Sequence, residues 1–268
     1  MHHAMLDAFA ARDTPVHRLD GAAKTLVALL LILAVVLIQR DHLLPLAAVA
    51  AALAGYQVIG KLPVGYTAKR LLIVSPFALA IVVLFPFLER GGAAWTIPVG
   101  PWSLSVSEAG LLRAGHLLAK FALCAWTTLL LFGTTPFHGV LRGLSRLRVP
   151  RALVVQLAFL YRYLWVLVDE MMRMSRARAA RDGGEGPWRL RFRSRAGVVG
   201  VLFLRTWDRA ERIYWAMAAR GFDGTLPAPP PRPEASPAQR SAVKDVLFAA
   251  GGAAFAVGLV ITDRLAYG

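Results

Sequence analysis

Five stretches of this chain are almost pure hydrocarbon: residues 22–39, 42–60, 70–88, 109–133 and 244–262. Each holds at least 18 residues, which as a helix reaches across a bilayer core of about 30 Å. Within lipid every backbone N–H and C=O must be bonded inside its own segment, and an α-helix does this. The expectation is therefore an all-α polytopic integral membrane protein with about five transmembrane helices. A hydrophobic share of 57% and a mean hydropathy of +0.52 lie above the range of soluble domains. A signal peptide is the competing reading of 22–39. The long charged lead (Arg12, Asp13, Pro15, Arg18, Asp20) and the lack of a small-residue cleavage site argue against it.

Lys and Arg set the expected orientation. Arg12, Arg18 and Lys24 precede or open the first span, and Lys61, Lys69 and Arg70 follow the second. The opposite side has little beyond Arg40 and Arg90. The positive-inside rule then places the N-terminus in the cytoplasm and sends the fifth span outward. The turn Gln39-Arg40-Asp41 is short enough to make the first two spans an antiparallel pair. Segment 89–106 reads as a long loop whose Trp95 and Trp102 suit the headgroup level. Gly251 and Gly252 in the last span would let another helix approach closely.

The surplus charge is concentrated between spans four and five. The chain carries 31 Lys+Arg against 16 Asp+Glu, and residues 134–243 hold 19 Arg, no Lys and 8 acids, a net +11. This divides the sequence into a lead with four spans (1–133), a basic module (134–226), a Pro-rich linker (227–243) and a last span (244–268). Within the module, the run 152–168 is long enough to cross but has Arg162 at its centre, costing about 2.5–3.5 kcal/mol if it faced lipid. It reads as a helix along or beneath the membrane. A further pair of spans stays open, so the count lies between five and seven. Three helices are expected in the module. The first, opening at Thr134-Thr135-Pro136 with a hydroxyl cap, has Phe137, Val140, Leu141, Leu144 and Leu147 on one face and His138, Arg142 and Arg146 on the other. The second runs from Pro150 to about Arg181, with Asp169 and Arg173 as an i,i+4 pair, and the third covers about 195–220. Six prolines in 227–237 make a stiff spacer.

The second and third helices end alike, in Ala180-Arg181-Asp182 before Gly183-Gly184 and in Ala219-Arg220-Gly221 before Phe222-Asp223-Gly224. A small residue lets a helix tip enter a narrow groove, where a guanidinium fork engages carboxylates. The bland alternative is a pair of ordinary basic C-termini closed by glycine.

Taken with His17-Arg18-Leu19-Asp20 and Lys24, Thr134-Thr135-Pro136-Phe137, Tyr161-Arg162-Tyr163-Leu164, Arg176 to Arg181 and Ala216 to Gly224, the chain resembles the transmembrane T component of energy-coupling factor (ECF) transporters, and within it the cobalt-type CbiQ branch. The resemblance covers almost the whole chain. It implies that the module's long helices are coupling helices docking on two cytoplasmic ABC-type ATPases through Ala180, Arg181, Asp182, Ala219, Arg220 and Gly221. It also implies a substrate-binding membrane subunit as further partner, cobalt uptake as the task and the prokaryotic inner membrane as the location. Nickel-type or vitamin-type T components are the nearest alternatives, and a membrane-anchored basic scaffold without transport is the alternative of another class. Two departures stand out: Asp182 occupies the family's usual glycine, and Gly21-Ala22 replaces Pro-Arg.

No enzyme signature is present. The Gly-x-x-x-x-Gly-Lys-Ser/Thr loop and the His-Glu-x-x-His pair are missing, and Asp169-Glu170 has no arginine at the offset a membrane prenyl protease needs. Neither nucleic acid nor a cofactor is expected as partner. Lone Cys124 makes no disulfide framework, and scattered His and Cys make no metal site. Met1-His2-His3 could chelate a metal but lacks a supporting shell. Arg113, His116 and Lys120 share a face of the fourth span, either toward the substrate-binding subunit or snorkelling to the outer interface.

Overall fold

The structure is a computed structural model, described over residues 14–17, 19–38, 43–83, 93–99, 102–182, 187–224 and 242–267. The element order is α1 (Gly21–Leu37), α2 (Leu43–Ile59), α3 (Val64–Val82), β1 (Ala93–Val99), β2 (Trp102–Ser107), α4 (Glu108–Thr134), α5 (Phe137–Arg146), α6 (Arg151–Asp182), α7 (Trp188–Ala219) and α8 (Ala242–Tyr267). The described residues form the fold of an all-α membrane protein with a β-hairpin. Among the described residues, three helices are by length and composition able to cross a bilayer, within Gly110–Thr134, Arg151–Arg181 and Val243–Leu265. Gly21–Leu37 and Leu44–Ile59 are shorter apolar helices. Met1-His2-His3, Arg18, the turn 39–41, the end of the expected third span (84–88) and the proline spacer lie outside the described residues.

The chain divides into two compact units, Met1–Leu147 with Pro231–Gly268 and Arg148–Pro230. In the first, α1 is the central helix and packs on α4, α5 and α8. Its Val27, Leu31, Ala34 and Val35 recur at helical spacing and meet Leu46, Val49 and Leu53 of α2, Leu123 and Leu130 of α4, and Ala256 and Leu259 of α8. The outward faces are apolar as well, with Leu29, Leu33, Leu44, Val58, Leu72, Ile73, Leu111 and Val257 exposed. Helices apolar on all sides belong in lipid. A Cβ on Gly252 would come within 2.7 Å of Val27, whereas one on Gly251 would meet nothing within 4 Å. The close approach expected of this pair therefore belongs to Gly252 alone.

Three local features differ from expectation. Segment 93–107 is an antiparallel hairpin pairing Ile97 with Leu104 and Val99 with Trp102, not an irregular loop. Alternating β-branched and aromatic residues favour strands, and Pro98 is tolerated because every strand of a two-stranded sheet is an edge. Helix α3 starts at Val64, taking Lys69 and Arg70 into its first turns, where the Arg70 guanidinium lies 4.3 Å from the Tyr66 ring centre. Helix α5 is capped at Pro136 with no side-chain cap bond. The Thr134 hydroxyl instead donates back to the Leu130 carbonyl at 2.8 Å, inside α4.

Helix α5 also falls in the first unit, whose N-terminal part runs to Leu147. Its buried face holds Gly139, Val140, Leu141 and Gly143. A Cβ on Gly21 would sit 2.5 Å from the Gly139 carbonyl oxygen, and one on Gly143 would sit 3.0 Å from the Thr25 hydroxyl. Backbone thus lies nearly on backbone where α5 crosses the start of α1.

The second unit is the pair α6 and α7. Phe159 meets Phe222 edge-on with ring centres 6.5 Å apart, and Glu170 bonds Arg205 at 2.6 Å. Early α6 therefore faces late α7, and the pair is an antiparallel hairpin. Helix α7 begins at Trp188, after Pro187, rather than at residue 195.

Candidate partner-docking site

The two arginine tips lie at opposite ends of one helical hairpin. Ala180 and Arg181 are exposed in the last turn of α6, which runs on to Asp182. The side chain of Asp182 and residues 183–186 are outside the described set. At the other tip, α7 closes at Ala219 with Arg220 as its exposed cap residue. Gly221 takes φ +72, its N–H donates to the Ala218 carbonyl at 3.0 Å, and the Phe222 N–H reaches Met217 at 3.1 Å. This is the Schellman arrangement, which satisfies late carbonyls and stops the helix sharply. Phe222 then folds onto Phe159, fixing the arginine's base against α6.

Arg181 lies eleven residues beyond Glu170 along α6, and Arg220 fifteen beyond Arg205 along α7. At 1.5 Å per residue in opposite directions, the backbone positions of the two arginines lie about 40 Å apart along the hairpin. Such a spacing suits two separate partners better than one small ligand.

Glu170 holds the hairpin's middle. Its carboxylate accepts from Arg173 at 2.7 Å, three residues on, and from Arg205 of α7 at 2.6 Å. Arg173 thus reaches Glu170 rather than Asp169. These two hydrogen bonds hold the Glu170 carboxyl below the usual carboxylate range.

The N-terminal motif has its own place. The Asp20 N–H donates to the Asp245 carboxylate of α8 at 2.9 Å, and the Asp20 carboxylate pairs with Arg146 of α5. Lys24 is buried and donates to the Thr134 carbonyl at 3.0 Å, while the Thr134 and Tyr56 hydroxyls lie 3.2 Å apart. The motif around Asp20 and the Thr-Thr-Pro segment are therefore one polar junction among α1, α2, α4, α5 and α8. Sequence reasoning missed its partners Arg146 and Asp245, because contacts 126 and 225 residues apart leave no periodic trace.

Arg113, His116 and Lys120 are not brought together on one outer surface. Arg113 is exposed, and His116 is buried at 8% exposure. Lys120 turns inward to donate to the Ile38 and Val36 carbonyls, closing the end of α1. Among the described residues no three His, Cys, Asp or Glu side chains are grouped to hold a metal ion.

The family model described as CbiQ, cobalt transport protein, matches residues 12–230. A cobalt transport protein CbiQ from Rhodobacter capsulatus is 34% identical over 160 residues, covering 59% of this chain and 65% of that one. A putative fused cobalt transport protein CbiMQ from Methanocorpusculum labreanum is 27% identical, over 54% of this chain and 24% of its own. The matched region thus spans less than two thirds of either relative. An energy-coupling factor transporter transmembrane protein EcfT from Lactococcus lactis is 26% identical over 84% of this chain and 86% of its own.

Proposed function

Because the chain belongs to the CbiQ cobalt transport protein family, we propose that it is the transmembrane coupling subunit of an ECF-type importer, with cobalt ion as cargo. In this reading it is an integral membrane protein of a prokaryotic inner membrane with a cytoplasmic N-terminus. Helices α6 and α7 lie along or beneath the membrane without crossing it, and their tips engage two ABC-type ATPases. ATP-driven closure moves the ATPases, the hairpin shifts with them, and the membrane body passes the motion to a separate substrate-binding subunit. The chain has the part of a lever, and no reaction is assigned to it.

The observation that carries this reading is the pair of exposed arginine-tipped helix ends pointing opposite ways along one stiff hairpin. A guanidinium in a groove can grip a carboxylate with two parallel bonds, which an ammonium cannot. Arg220→Ala should then cost about 2–5 kcal/mol at its ATPase contact, much of it from leaving the partner charge buried and unpaired. The test is co-purification of the ATPases with full chain carrying Arg181 and Arg220 changed to Ala or to Lys. Loss in both sets supports docking through the two guanidiniums. Full ATPase recovery with the double Ala variant contradicts it, and recovery with Lys alone points to attraction by charge.

A further inference from the structure

The first turns of α7 are built against their own helix. Arg189, Arg191, Arg193 and Arg195 crowd the N-terminal end, where the helix dipole disfavours cations, and no acid occurs between Gly186 and Trp207. All four arginines are exposed. At 100° per residue, Trp188, Phe192, Val199 and Phe203 fall within about 60° of arc. Arg191 and Arg195 border one edge of that stripe, and Arg189 and Arg193 the other. Within 188–203 the half-buried residues Ser194, Val198 and Leu202 lie about 90° round the helix from that stripe, on the side of Arg191 and Arg195. Trp188, Phe192, Val199 and Phe203 are instead 66%, 68%, 60% and 63% exposed.

We propose that residues 188–203 of α7 bind the anionic phospholipid surface of the bilayer. The apolar stripe enters the headgroup boundary, and the arginines on both flanks reach phosphates. The charge complementarity is one-sided over the whole segment, as a polyanionic plane requires. The aromatic stripe separates this surface from one made only for an acidic protein, since Trp and Phe between flanking cations are the composition of interfacial helices. The two faces of α7 then have different tasks: the inner one holds α6, and the outer one ties the N-terminal end of the helix to lipid while Arg220 remains at the far end.

The test uses the full chain with Cys124→Ser and Val199→Cys, labelled at residue 199 with an environment-sensitive fluorophore. The labelled chain is placed in nanodiscs of phosphatidylcholine with or without phosphatidylglycerol. Emission should shift to the blue and become quenchable by doxyl-labelled lipid when phosphatidylglycerol is present, and salt should reverse both effects. The R189Q/R191Q/R193Q/R195Q variant should lose the response, and the same four positions changed to Lys should keep it. Equal emission and quenching in the two lipid mixtures would overturn the proposal. So would a response that survives the Gln variant, or one that appears only when the ATPases are added.

Discussion

Gly21 and Gly221 show how differently two glycines can matter. At Gly21 the obstacle is space, because a methyl group would stand 2.5 Å from the Gly139 carbonyl oxygen and neither backbone can yield. Gly21→Ala should destabilise the membrane body by about 1–3 kcal/mol, read as a lower melting temperature in detergent. At Gly221 space is free and the obstacle is φ +72. Gly221→Ala should cost about 1 kcal/mol, the penalty for a side chain in the left-handed region. The body's melting temperature should stay unchanged while ATPase recovery falls, because the substitution disturbs only the turn that presents Arg220. An equal drop in melting temperature for both variants would refute that separation. The Gly21-Ala22 departure from the family's Pro-Arg also has a local physical account, since the glycine is what admits α5.

At the scale of elements, α6 and α7 are joined midway by one carboxylate between two arginines, and this joint depends on pH. The folded Glu170 pKa is depressed, so its contribution is present above the unfolded carboxylate value and is lost as pH falls through the folded one. Protease cleavage in α7 should therefore rise on acidification, and Glu170→Gln should make it high and nearly independent of pH. A variant with the wild-type pH profile would show that another group holds the hairpin. The helix ends were readable in the sequence, since α6 stops at Asp182 and α7 at Ala219, beside the small residues and glycines that mark them. The start of α7 was not, because Trp-Arg-Leu-Arg-Phe-Arg-Ser-Arg alternates with period two and hides its 3.6-residue stripe. In 93–107 the same alternation did mean strands, obscured by glycine and proline that read as loop. The junction of Asp20, Arg146 and Asp245 is tertiary, and no window along the chain contains it.

At the scale of the whole molecule, charge sets which way the protein sits. Lys61, Lys69 and Arg70 flank one connection, whereas segment 93–107 carries no charged residue. Short loops rich in Lys and Arg are retained in the cytoplasm during insertion, so 61–70 should lie inside and the β-hairpin outside. The chain has a single cysteine, and Cys124→Ser gives a background in which one new thiol reports one location. Ser103→Cys should react with a membrane-impermeant maleimide on cells whose outer membrane is permeabilised. Lys61→Cys should react only after the inner membrane is broken. The reverse pattern would place Arg181 and Arg220 on the side away from ATP, leaving no ATPases for them to meet. Topology is thus a condition on the lever mechanism, and its failure would remove the mechanism while leaving the helix packing intact. Changing Lys69 and Arg70 together to Gln in each of these single-thiol backgrounds weakens the bias without touching the core around Val27 and Val49. A mixed labelling pattern is expected from that variant, with both thiols partly accessible from outside.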